Sequence, residues 1–121
     1  MEHALAFYKE KTEFAQVLPS FESLKNIRLW NESRISGSGY VLHTLQAALW
    51  CLLTTSGYSE CVLKAVNLGE DTDTTAAVAG SLAGLWYGME QIPDAWLRQL
   101  AKQDQICRLC DQFTDAICGK L

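Results

Sequence analysis

The sequence predicts an all-α protein, a compact multi-helix bundle, and three observations carry that prediction. Apolar residues recur at helical steps of three and four, and no stretch alternates with the period of two that a half-buried strand needs. Pro, Ser, Asp and Gly punctuate the edges of those same segments, as helix starts and stops require. Of 121 residues, 49% are hydrophobic and 20% charged, the ordinary balance of a globular chain long enough to bury a core. Residues 1–121 read as one domain.

Taken in order, Ala4, Phe7, Tyr8, Phe14, Ala15 and Leu18 make a loose helical stripe that Pro19-Ser20 closes. Leu24, Ile27 and Trp30 fall at helical steps, giving a short helix or an irregular packing segment over 21–30. Residues 31–39 are polar and glycine-bearing, hence a loop. Tyr40 opens a strong apolar helix to Leu53, with Leu42, Leu45, Leu49 and Leu52 on one side and Ala48 and Trp50 widening the stripe. Thr54-Thr55-Ser56-Gly57 ends it. Ser59 is the expected N-cap of the next helix, whose apolar face is Cys61, Val62, Ala65, Val66 and Leu68. Gly69 terminates that helix.

A helix from Thr72 to Tyr87 follows, with Ala76, Gly80, Gly84 and Gly88 every fourth residue. Glycine inside a helix costs about 0.5–1 kcal/mol relative to alanine, so the stripe predicts close approach of a neighbouring backbone. Pro93 sits at the start of another helix. The last, Gln105 to Cys118, places Ile106, Cys110, Phe113 and Ile117 on one face.

Composition removes several functions. The formal net charge is −4 and the ten basic residues are scattered, so no nucleic-acid patch that works by counterion release is present. The apolar run from Ala47 to Leu53 is too short to span a bilayer, and Glu2, Lys9, Glu10 and Lys11 interrupt any signal-peptide core. A cytoplasmic location is expected. Cys51, Cys61, Cys107, Cys110 and Cys118 are odd in number and set among apolar residues, so they are expected as free, core-packed thiols. Cys107-x-x-Cys110 lacks the second pair that makes a zinc site convincing.

The chemistry concentrates in Gly69-Glu70-Asp71-Thr72-Asp73-Thr74-Thr75, where a helix begins. Asp71, Asp73 and Thr74 offer hard oxygen donors of the kind magnesium takes. Carboxylates two apart diverge within a regular helix, but at the junction Asp71 can turn back toward Asp73 and Thr74. Asp and Thr also serve as ordinary N-cap and first-turn residues, though capping needs one acid and three are present. A haloacid dehalogenase loop needs a preceding strand, and an EF-hand needs a Gly and a Glu at later fixed positions; both are excluded.

The string Gly69 to Gly88, with Ile92-Pro93 and Trp96 after it and Ser38-Gly39-Tyr40-Val41 and Ala47-Ala48-Leu49-Trp50-Cys51 before it, resembles the C-terminal part of the ADP-ribosylglycohydrolase family over about residues 36–100. The resemblance implies hydrolysis of a glycosidic bond joining ADP-ribose to a modified group, at a site holding two magnesium ions, with manganese as the alternative ion. It puts Asp71, Asp73 and Thr74 in the place of the family's C-terminal metal ligands. It puts Gly37, Ser38, Gly39 and Tyr40 along the ADP-ribose, the glycines allowing close backbone approach and the Tyr40 ring packing on the adenosine; a glycine loop feeding a helix explains the same residues without a ligand. His43 and Gln46 fall on the exposed polar face expected one and two turns into that helix, and a lone His43 there is read as structural or solvated, not catalytic.

Two departures follow. Glu70 stands where the family often has Gly or Asp. The family domain is also roughly twice this length, and the Thr-Asp-Asp metal motif and the acid near the attacking water in its N-terminal half have no counterpart in residues 1–68. The expectation is therefore a half-site that needs a complementary N-terminal half for hydrolysis, or else an inactive ADP-ribose-binding module or a structural remnant. Apolar faces left over would favour a homo-oligomer.

Overall fold

The apolar run opened by Tyr40 folds as the helix Val41–Leu53, numbered α3 in the computed structural model, which describes residues 2–119. Before it come α1 (Glu2–Lys9) and α2 (Leu18–Ser23), joined and followed by short 3-10 turns; after it come α4 (Tyr58–Asn67), α5 (Thr72–Tyr87), α6 (Asp94–Gln99) and α7 (Gln103–Cys118). The fold is all-α, with no strand among the described residues. No helix is long and apolar enough to cross a membrane. The chain divides into two compact units, one ending at Gln91 and one beginning at Ile92.

In the first unit α5 packs against both α3 and α4. Where α3, α4 and α5 meet, the buried apolar residues are small: Ala47, Ala48 and Cys51 of α3, Cys61 and Ala65 of α4, Ala79 and Ala83 of α5. Trp50 of α3, with Leu24 and Ile27 before it, completes the buried cluster, and Leu45, Leu49 and Leu52 pack round it only partly buried. The leucine stripe expected to face the core is thus its rim, because Ala and Cys at the facing positions let the three helices approach closely enough to leave the leucines outside. Val66 of α4 is likewise exposed. The glycine stripe meets side chains of α4, not the neighbouring backbone its spacing predicts, because the Tyr58 ring fills the space above it. Gly80 and Gly84 lie over the Tyr58 ring of α4, and a Cβ on Gly80 would stand 3.4 Å from the Tyr58 hydroxyl. Gly88 ends α5 at φ 87°.

Polar ties hold the rim. Trp50 Nε1–H donates to the Trp30 carbonyl (3.0 Å), the Tyr87 hydroxyl to the Thr55 carbonyl (2.9 Å), and the Lys64 ammonium, above the Trp50 ring, to Thr54 Oγ1 (2.8 Å). Ile27 is buried, as its helical step from Leu24 predicts.

Three local expectations are corrected. Pro19 opens α2 instead of closing the preceding helix, because the first turn is where a missing N–H costs nothing. Gly57, not Ser59, stands at the start of α4, with no side-chain cap; Glu60 reaches back to accept from both the N–H and the hydroxyl of Ser56 at 3.0 Å, which ties the preceding turn to the first turn of the helix. Of the five cysteines only Cys51 and Cys61 are buried, while Cys107, Cys110 and Cys118 are exposed.

The second unit holds α6 and α7. Pro93 precedes α6, and Lys102 at φ 61° starts α7. Ile106, Phe113 and Ile117 share one face of α7 and are exposed, so that helix carries an uncovered apolar seam.

Candidate metal and substrate site

Between α4 and α5 the chain reverses through two residues with positive φ, Gly69 at 78° and Glu70 at 60°. Glycine adopts that region freely and glutamate at some cost, and the pair turns the backbone so that Asp71 stands at the head of α5. The Asp71 carbonyl accepts from the Thr75 N–H at 3.1 Å, which starts the helix. Its N–H points the other way and donates to the Gly37 carbonyl at 3.0 Å. The acidic turn and the glycine loop before α3, thirty-odd residues apart in sequence, are therefore joined through the backbone.

Close approach explains both glycines of the loop. Gly37 is buried against Gly69, and a Cβ there would run into the Gly69 carbonyl oxygen. A Cβ on Gly39 would stand 2.5 Å from Asp71 Oδ2. A third tie is outside, where the Ser36 hydroxyl donates to Glu70 Oε2 at 3.2 Å. Loop and turn form one surface.

On that surface Asp71 is half-buried, while Asp73 and Thr74 are exposed in the first turn of α5. A hydrogen bond from the Asp71 carboxyl holds Asp73 below the usual carboxylate range; the Thr74 N–H, 2.9 Å from Asp73 Oδ1, adds to the effect. Two acids meeting this closely repel when both are ionised, and a proton or a cation between them relieves the repulsion. Thr75, one residue on, is fully buried with Oγ1 unpartnered among the described residues.

The other loop residues face elsewhere. Ser38 Oγ lies 2.7 Å from His43 Nδ1, and its N–H donates to Ser36 Oγ. The Tyr40 ring is 54% exposed and meets His43 edge-on, centroids 5.2 Å apart. Of the residues singled out in the sequence, Gly37, Gly39, Asp71 and Asp73 come together, with Thr74 beside them; Ser38 and Tyr40 flank Gly39 and converge on His43. Sequence reasoning misses Ser36 and Glu70 as partners, since nothing local links residues that far apart in the chain.

The family profile described as ADP-ribosylglycohydrolase matches residues 1–120. The chain belongs to the ADP-ribosylglycohydrolase family. The match extends well beyond the 36–100 stretch whose motifs suggest it. The chain is 44% identical over 79 residues to ADP-ribosylarginine hydrolase Tri1 of Serratia proteamaculans (strain 568), covering 65% of this chain and 22% of that protein. It is 38% identical over 85 residues to the hydrolase of the same name from Pseudomonas putida (strain GB-1), covering 70% and 23%. To human ADP-ribosylhydrolase ARH3 it is 49% identical over 35 residues, 29% of this chain and 10% of that protein. The matched stretch thus spans about a fifth of the two bacterial members of the family.

Proposed function

We propose that the chain supplies the C-terminal half of a magnesium-dependent hydrolase that cleaves the glycosidic bond between ADP-ribose and a modified group. The observation that carries this reading is the apposition of the Gly37-Ser38-Gly39 loop to Asp71, which places an exposed aromatic ring and an acid pair on one continuous surface. Asp71, Asp73 and Thr74 would hold the ion: two carboxylates and a neighbouring hydroxyl at the head of α5 are the oxygen donors magnesium takes, and manganese accepts the same set. When bound, the ion supplies polarisation of ribose hydroxyls and orientation of the attacking water. The chain's own work is positioning. Gly37 and Gly39 let the ligand approach the backbone, and Tyr40 offers an apolar face to the adenosine.

No group of three His, Cys, Asp or Glu side chains stands close enough to hold a metal among the described residues. In this reading a complementary N-terminal half completes the ligand set and brings the acid near the water. The second reading is an ADP-ribose-binding module without hydrolysis. The uncovered seam of α7 offers a surface for the complementary half or for a second copy of the chain, and size in solution separates these. Free thiols suit a cytoplasmic location. ADP-ribosylarginine is the first substrate to test, since two relatives are named for it.

Calorimetric titration of ADP-ribose into the chain, with magnesium and then with EDTA, tests the reading. Binding that needs magnesium and disappears in Asp71→Ala and Asp73→Ala supports it; equal binding in EDTA, or unchanged binding in both variants, contradicts it. Hydrolysis of ADP-ribosylarginine on adding the N-terminal half of a relative separates enzyme from binding module.

A further inference from the structure

We propose that His43 is a positioning residue that sets the two ends of the site, the acid end and the aromatic end, with one imidazole. The inference rests on the reading of the loop and the acid pair as one nucleotide site, and adds a residue which that reading leaves unused.

His43 lies in the first turn of α3, a helix anchored by fully buried Ala47, Ala48 and Cys51, so its ring has a rigid base. Its Nδ1 is 2.7 Å from Ser38 Oγ, and the Tyr40 ring stands against its face at an interplanar angle of 83°. These two contacts fall on either side of Gly39, whose α-carbon abuts the Asp71 carboxylate. Gly39 has no side chain with which to hold itself there. Backbone bonds hold the loop on either side of it, from the Asp71 N–H to the Gly37 carbonyl and from the Thr44 N–H to the Tyr40 carbonyl, each 3.0 Å. Within that frame the side chains of Ser38 and Tyr40 both meet His43, while the Thr44 hydroxyl lies 3.5 Å from the Ser38 carbonyl. The imidazole therefore trims the loop between its backbone ties and sets which way the Tyr40 platform faces. The ligand so matched is a nucleotide, with its base on Tyr40 and its distal ribose at Asp71 and Asp73.

The two contacts separate by substitution. His43→Asn keeps a polar atom near Nδ1 for Ser38 and removes the ring; His43→Phe keeps a ring for Tyr40 and removes the hydrogen-bond partner of Ser38. Calorimetry on the full chain would use ADP without metal as the probe of the aromatic end, and ADP-ribose with and without magnesium as the probe of the acid end. For His43→Phe we expect ADP affinity close to wild type and loss of about tenfold in the magnesium-dependent gain, the scale of one hydrogen bond. For His43→Asn we expect the reverse, about fivefold weaker ADP and the magnesium gain retained, the scale of one aromatic contact.

Imidazole ¹⁵N shifts give a readout that needs no ligand, because Ser38→Ala should move the Nδ1 signal while leaving the melting temperature within a few degrees. Wild-type binding with both variants unchanged, or with both ends lost together in each, overturns the inference alone. A wild-type chain that binds neither ADP nor ADP-ribose overturns the site reading and this inference with it.

Discussion

At Gly39 the missing Cβ matters more than any side chain in the loop. An added methyl would lie 2.5 Å from Asp71 Oδ2, too close to be tolerated, and the carboxylate is free to swing away. Gly39→Ala should therefore leave stability within about 1 kcal/mol, since a flexible partner yields. It should cost magnesium-dependent ADP-ribose affinity about tenfold or more, the scale on which ångström misplacements weaken a site. A thermal melt and a titration on the same sample check both halves. Thr75 presents the opposite case: a buried hydroxyl with no partner pays its desolvation and gains nothing. Thr75→Val keeps the shape and should raise stability by about 1 kcal/mol, read as a higher denaturant midpoint. Asp71, Asp73 and the two glycines are legible in the sequence as residue types. The bond from the Asp71 N–H to the Gly37 carbonyl is not, because it joins segments whose spacing carries no period.

Helices are more legible than their surroundings. The step of three and four identifies α3, α4, α5 and α7 because an amphipathic helix repeats its environment every turn. The same arithmetic misplaces the core of α3, since it counts hydrophobicity and not the closeness that alanine permits. Starts are harder: Ser59 fits a cap by residue type, but α4 begins at Gly57 without a side-chain cap, and Glu60 bonds Ser56 in the turn before it. The glycine stripe of α5 yields a graded prediction. At Gly84 a Cβ would meet Tyr58 Cε2 at 3.8 Å, an ordinary contact, so Gly84→Ala should stabilise the chain by about 0.5–1 kcal/mol through helix propensity. A melting temperature below wild type would show that the helices tolerate no methyl there.

Across the whole molecule, thiol burial links the core to pH. Burial pushes the Cys51 thiol up from 9.0 to about 12, with Cys61 beside it adding to the rise and Lys64 opposing it; burial raises Cys61 as well. Unfolding exposes both to water, where they ionise above about pH 9, so above that pH the unfolded chain holds fewer protons than the folded one. The contribution is intact below pH 9 and is lost as pH rises toward 12. The denaturant midpoint should fall as pH rises above about 9, and less steeply in Cys51→Ala; equal slopes would contradict this. In α7 the limit of single-chain reasoning shows. Its seam reads as buried, but Cys110 and Phe113 on it are exposed, because a helical face says that something covers it and not what.

The proposed function depends on loop and acid turn acting as one ion-binding surface. The direct measurement is the broadening of backbone amide signals by substoichiometric manganese, in the wild-type chain and in Asp73→Ala. Residues 36–40 and 69–75 should broaden first and together, and neither set should do so in the variant. Broadening confined to one segment, or spread over the surface acids alike and unchanged in Asp73→Ala, would contradict a shared site.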